Sequence, residues 1–293
     1  MKKLFLFPLS LVFLTACDKD HPPKEGNLKL NINGLEDLGP TARYEGWLIA
    51  NGQPVSTGIF SVNNNGKLSQ TVFKVPDLVL NSATTFVLTV EPYPDNDPAP
   101  SDVHLLGGDF SHGNKTAPVA VSHPAALGND FSTAAGKFIL ATPTDGPDTN
   151  EDSGIWFLSL AGGSPAQGLT LPVLPAGWKY EGWAVINGKP VTTGTFLSAD
   201  MADESGIFSG PLAAPPFPGE DFLVNAPSGL TFPTTLKGGT AIISIEPVPD
   251  NSPAPFLLKP LAAGIPANAA VHTDLMLEQN LVSFPAGTVH KTN

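Results

Sequence analysis

Tyr44-Glu45-Gly46-Trp47-Leu48-Ile49-Ala50-Asn51-Gly52-Gln53-Pro54-Val55-Ser56-Thr57-Gly58-Ile59-Phe60 is the stretch that decides the fold. An apolar and aromatic run meets Asn-Gly, and a run rich in β-branched residues follows. Asn-Gly between such runs is the strongest short-range hairpin signal, because both central residues of a type I′ turn need positive φ. The same stretch returns as Tyr180 to Phe196, displaced by 136 positions and identical at eleven of seventeen. A second block, Glu91-Pro92-Tyr93-Pro94-Asp95-Asn96-Asp97-Pro98-Ala99-Pro100, returns at Glu246 to Pro255 with eight of ten residues unchanged and a displacement of 155. The second copy therefore holds 19 more residues between the blocks. A fainter echo of Asn129, Ser132, Ala135 and Gly136 in Asn280, Ser283, Ala286 and Gly287 carries the repeat close to the end of the chain. Repeats of this size predict tandem domains and not a solenoid, whose units run about 20 to 50 residues.

Around these blocks every further signal is β. Phe86, Leu88 and Val90, and likewise Ala241, Ile243 and Ile245, recur with period 2 and are stopped by proline. Phe138-Ile139-Leu140 and Ile155-Trp156-Phe157-Leu158 add short strands on either side of an acidic turn, and Asn63-Asn64-Asn65-Gly66 marks another turn. No stretch of a dozen residues carries a helical period free of Pro or Gly. Glycine (29) and proline (31) together make about a fifth of the 293 residues, which speaks against a helical protein. The expected fold is all-β: two tandem immunoglobulin-like β-sandwich domains after a lipoprotein signal peptide, with domains at 27–162 and 163–293.

The amino terminus predicts export. Lys2 and Lys3 precede an apolar run from Leu4 to Leu14, too short for the roughly 20 residues that span a bilayer. Leu14-Thr15-Ala16-Cys17 resembles the lipobox of bacterial lipoproteins, and Cys17 is the single cysteine. Residues 1–16 are thus expected to be cleaved, Cys17 to be lipidated, and 17–26 to form a charged, proline-stiffened tether to the membrane. Disulfides are excluded, so the domains rely on packing. Aspartate after the cysteine is an inner-membrane retention signal in some bacteria, and Lys19-Asp20 resembles a surface-export signal in others. An outer-membrane or cell-surface location is the expectation.

A net charge of −12, with Arg43 the sole arginine, excludes nucleic acid as a partner, because binding it requires a basic footprint. No P-loop, Gly-x-Ser-x-Gly, His-Glu-x-x-His or Gly-x-Gly-x-x-Gly pattern occurs, so no catalytic residues and no cofactor are expected. Asp102, His104, Asp109 and His112 lie close in sequence but lack a familiar ligand spacing. Asp145, Asp148, Glu151 and Asp152 lack a 12-residue calcium-loop pattern and read as a solvated turn. Glu91 and Glu246 stand at equivalent strand ends beside Thr89 and Ser244, which predicts structural carboxylates. Trp47 and Trp183, at mid-strand with Ile49 and Val185 on the same side, are expected to belong to the core and not to serve as sugar platforms.

The Tyr-x-x-Trp strand, the Asn-Gly-x-Pro-Val-x-x-Gly-x-Phe hairpin and the Thr/Ser-Val/Ile-Glu-Pro strand with its Pro-Ala-Pro loop resemble the extracytoplasmic domain of anti-sigma-K factors. In that family the domain follows a transmembrane helix and a cytoplasmic sigma-binding segment with His and Cys ligands. Here a lipobox and one cysteine stand in that place, so the resemblance implies the extracytoplasmic part alone. The expected function is that of a non-catalytic envelope lipoprotein acting by binding or sensing, with anti-sigma-factor-like regulation. The alternative is a surface lipoprotein that binds a glycan or a protein.

The 19 extra residues, between Phe196 and Gly239, locate the expected ligand site. Phe208, Phe217, Phe222 and Phe232 stand there among prolines. Two readings are open: a stiff apolar binding loop, or a flap folded inward whose phenylalanines lid the core.

Overall fold

The computed structural model describes residues 24–111, 113–250 and 252–292. The leader 1–16, the lipidation residue Cys17 and most of the tether lie outside the described residues. The chain is all-β, with 42% strand against 3% helix. Its strands begin with β1 (Glu25–Asn33), β2 (Ala42–Ala50), β3 (Gln53–Phe60) and β4 (Val72–Pro76), followed by the short helix α1 (Asp77–Ser82). Next come β5 (Ala83–Pro92), β6 (His104–Asp109), β7 (Thr116–Ala120), β8 (Ala135–Leu140) and β9 (Gly154–Trp156). The small strands β10 (Leu158–Ser159), β11 (Ala166–Gln167) and β12 (Leu169–Thr170) lead to β13 (Trp178–Ile186) and β14 (Lys189–Phe196). The chain ends with β15 (Gly219–Asp221), β16 (Thr240–Pro247), β17 (Leu261–Gly264), β18 (Leu275–Gln279) and β19 (Ala286–Thr292).

Both Asn-Gly turns form as the sequence predicts: Asn51 and Asn187 sit at φ 52°, and Gly52 and Gly188 at 77° and 78°. The two hairpins share a bulge. Gly46 pairs Gly58 while Trp47 pairs Ser56, and Gly182 pairs Gly194 while Trp183 pairs Thr192. The extra residue pushes Gly58 and Gly194 to φ 119°, a conformation that side chains resist. Glycine in the repeated Thr-Gly pair follows from that geometry.

The strands form two large sheets in a sandwich-like arrangement. One has the order β3-β2-β5-β6-β7-β19-β1-β4, and the other β14-β13-β16-β17-β18-β8-β9-β15, with β12 also paired to β8. The end strands of each order meet, β3 against β4 and β14 against β15, so each sheet curls around apolar side chains. Tyr44, Phe60 and Phe73 line this interior in the first sheet, with ring centroids 5.5 and 6.0 Å apart.

The two orders correspond strand for strand, with one exchange. β19, from the end of the chain, lies between β7 and β1, while β8, its sequence counterpart, lies between β18 and β9. A boundary at 162/163 is therefore not the boundary of the sheets, because the first sheet takes β19 from beyond it and the second takes β8 and β9 from before it. The register states the physical reason. Alternate apolar residues of both strands, Phe138 and Leu140 in β8 and Val289 in β19, are fully buried in the sheet that receives them. One contiguous apolar core includes residues of both sheets. No helix among the described residues is long and apolar enough to cross a membrane.

Candidate functional site

The site grows from the two repeated blocks. Antiparallel register sets Glu45 opposite Thr89 and Glu181 opposite Ser244, and the period of 2 then puts Glu45, Trp47, Thr89 and Glu91 on one face. Tyr44, Leu48, Phe86 and Leu88 face the core on the other. The Trp47 indole N–H donates to Thr89 Oγ1 at 2.9 Å, and the Thr89 hydroxyl donates to Glu91. The second copy repeats the relay: Trp183 Nε1 donates to Ser244 Oγ at 2.8 Å, and Ser244 donates to Glu246. Each glutamate also accepts a backbone N–H from the far end of its Pro-Ala-Pro loop, Ser101 at 3.0 Å and Phe256 at 2.9 Å. Glu91 and Glu246 are thus the structural carboxylates that the sequence predicts, clamping a loop to a strand end. Both indoles are buried, on the face away from the core.

The copies differ in what surrounds the second glutamate. One carboxylate oxygen each from Glu181, Glu246 and Asp250 lies within 4.8 Å of the others. Glu181 and Glu246 are only 5% and 1% exposed. Burial pushes the Glu246 carboxyl up to about 8, against the pull of its hydrogen bonds to Ser244 and Phe256. Burial likewise raises Glu181 to about 7, and the nearby Asp250 adds to the effect. In the first copy Glu45 is only half-buried and bonded to Ser56, and its carboxyl is raised chiefly by burial. Removal of a carboxylate from water disfavours its charged form, and like charges nearby add to the cost.

Beside this cluster a cleft of about 570 Å³ opens between the Glu-Pro strand ends of the two copies. Leu38, Pro40, Pro92, Pro249, Pro253 and Phe256 form its apolar walls, and Glu36, Asp37, Glu91 and Asp250 bring carboxylates to it. Glu36 joins the copies across it, accepting the Leu257 N–H at 3.2 Å, and burial raises its carboxyl above the ordinary range. Arg43 stacks over the Tyr93 ring, 4.3 Å from its centroid. Apolar walls with a few converging polar groups are the usual lining of a ligand site, and the carboxylates here are placed to accept from cationic or N–H donor groups.

The phenylalanine segment corrects the expectation of a projecting binding loop. Phe208 and Phe222 are buried, and with the partly buried Phe232 they form a cluster with centroids 5.5 to 5.8 Å apart. Phe217 is partly buried against the small apolar group of Ile139, Ala141, Trp156 and Leu158. These rings pack the second sheet, and Phe208 and Phe222 have almost no surface left for a ligand. The reason is β15 inside the segment, which pairs with β9 and pulls its flanks inward. Buried Asp221 locks it, accepting Trp156 Nε1 at 2.7 Å and the Thr144 N–H at 2.8 Å. Buried Glu220 accepts from Ser209.

The other metal-ligand candidates stay apart. His104 Nδ1 meets the Ala125 carbonyl at 3.0 Å, Asp109 pairs with His123 at 3.3 Å, and His112 lies outside the described residues. In the acidic turn, Asp145 accepts from Asn150, Glu151 pairs with His272 at 2.8 Å and Asp152 with Lys237 at 3.3 Å. Sequence reasoning missed the joining of Glu181 and Asp250 to Glu246. The repeat itself shows only that the two glutamates recur together; it is the β13–β16 register, which sets Glu181 opposite Ser244, two residues before Glu246, that brings them to one face. Comparison with known proteins gives no match: no family model, no curated relative and no solved structure aligns significantly with the chain.

Proposed function

We propose that this chain is a non-catalytic, lipid-anchored protein of the bacterial cell envelope, outer membrane or cell surface, that acts by binding or sensing. In this reading its two immunoglobulin-like modules are of the kind that resembles the extracytoplasmic domain of anti-sigma-K factors. The observation that carries it is the cleft at the meeting of the two Glu-Pro strand ends. The very residues that carry the resemblance, among them Glu91, Pro92, Pro247, Pro249 and Pro253, line a concave, largely apolar surface there. Support for anchoring is the lipobox-like Leu14-Thr15-Ala16-Cys17. Two acyl chains hold a protein stably at a bilayer, at about 0.8 kcal/mol per buried CH₂.

The test joins anchoring to regulation. Wild type partitions into membranes and Cys17→Ser does not. Deletion of the gene shifts the transcripts under one sigma factor, and wild type restores them while Cys17→Ser does not. Equal membrane retention of both forms sinks the anchor. A transcriptome that ignores the deletion removes the regulatory role and leaves the reading of a surface glycan- or protein-binding lipoprotein, which a binding screen of cleft variants addresses.

A further inference from the structure

Three carboxylates gather where the second copy's Glu-Pro strand enters its proline loop, and among the described residues no cation is paired with them. Among the described residues the ion pairs of Lys, Arg and His all lie elsewhere. Lys179 is the cross-strand partner of Glu246, yet its ammonium is spent on Glu204, at 2.7 and 2.5 Å from the two carboxylate oxygens. Each buried glutamate has one oxygen engaged and one free. Thr192 donates to Glu181 Oε1, and Ser244 and the Phe256 N–H donate to Glu246 Oε1. Glu181 Oε2 and Glu246 Oε2 are buried with no hydrogen-bond partner. Buried polar atoms are almost always partnered, so two such oxygens beside a third carboxylate call for either a proton shared among the three or a bound cation. Asp250 holds its loop through Oδ1, which accepts the Ser252 N–H at 2.8 Å, and it also lines the cleft.

We propose that Glu181, Glu246 and Asp250 bind a single hard divalent cation of the calcium class, reached from the cleft. The donor set is all oxygen, as calcium and magnesium require and zinc or copper do not. The three oxygens lie within 4.8 Å of one another, close enough for one ion about 2.4 Å from each to bridge them, and calcium's flexible shell accepts the uneven geometry of two strands and a loop more readily than magnesium's strict octahedron. Waters on the half-exposed Asp250 side complete the shell. A bound ion cross-links β13, the end of β16 and the loop that begins at Val248, and so fixes one wall of the cleft. The first copy has the equivalents Glu45, Glu91 and Asp95 but does not bring them within the same span, so one ion per chain is expected. The site rests on its own geometry and holds whether or not the chain is lipid-anchored.

Terbium, a luminescent calcium substitute, tests it on the purified full chain, because Trp183 touches the site through Ser244 and acts as the sensitiser. Wild type is expected to give a saturable one-to-one terbium signal that calcium displaces, and a melting temperature that rises with calcium concentration. Glu246→Gln abolishes the signal, and Asp250→Asn, a change on the loop, weakens binding by at least about tenfold. If Glu246→Gln fails to fold, Asp250→Asn and the wild-type titrations still decide. Asp145→Asn in the acidic turn leaves binding unchanged. Absence of saturable terbium binding overturns the site, as does binding that survives both substitutions or is lost with Asp145→Asn. A calcium-insensitive melting temperature together with a Glu246→Gln protein more stable than wild type at neutral pH also overturns it, and shows carboxylates sharing protons instead.

Discussion

Removal of residues 286–293 is expected to unfold a sheet made otherwise of the first 120 residues. β19 is an inner strand of that sheet, in register with β1 from Asn27–Thr292 to Asn33–Ala286 and with β7 from Thr116–His290 to Ala120–Ala286. Its loss strips seven residue pairs from one side and five from the other. At about 0.5–1.5 kcal/mol net per ladder hydrogen bond, and about 2 kcal/mol for fully buried Val289, the loss is on the order of 10 kcal/mol. That equals the whole stability of a typical domain, about 5–15 kcal/mol. Amide exchange of the truncated chain should therefore show β1 and β7 unprotected, and near-UV dichroism should lose the signal of Tyr44. Addition of a peptide covering 281–293 should restore both. A milder form is Gly287→Val, since a Cβ there meets the Asn31 carbonyl oxygen at 2.1 Å and Ile32 Cα at 2.7 Å. A truncated chain that keeps native protection in β1 and β7, or an isolated 24–162 segment that folds to a stable unit, would refute the strand exchange.

Phe222→Ala should cost about 3–5 kcal/mol in urea unfolding, as for a large core ring, and considerably more than Phe217→Ala at its half-exposed position; equal small effects would return the segment to the surface. Trp183→Phe removes the indole bond to Ser244 and should destabilise by about 1–3 kcal/mol, with Trp47→Phe alike in its own relay, while no change in either would show the relays to be incidental. Burial pushes Asp203 up to about 7, against the Gly219 and Ser205 N–H groups that hold it. The native chain therefore keeps a proton there that the unfolded chain gives up near pH 4. This group's effect is most favourable below that pH, erodes as pH rises to about 7 and is constant above. Asp203→Asn should remove that part of the slope, and a stability profile parallel to wild type across pH 4 to 7 would sink the assignment.

Local chemistry was legible in the sequence because it depends on neighbours. Asn51-Gly52 and Asn187-Gly188 dictate type I′ turns wherever they stand, the period of 2 in Phe86-Leu88-Val90 dictates a face, and Glu91 and Glu246 beside a hydroxyl on that face foretell a clamp. The helix Asp77–Ser82 escaped notice because six residues are too few to show a period. The exchange of β8 and β19 was beyond the sequence, since copies with the same hydrophobic pattern accept either strand, and only the path of the connecting chain decides which sheet receives it. The fate of Phe208, Phe217, Phe222 and Phe232 was undecided for a similar reason: a proline-rich apolar segment reads alike whether it projects or folds back, and the three-residue pairing of β15 with β9 settles it. The meeting of Glu181, Glu246 and Asp250 needed a strand register, a neighbouring strand and a loop trajectory at once. Sequence fixes which groups can bear charge, but their distances, and so the free energy of holding three carboxylates away from water, exist only in the folded chain.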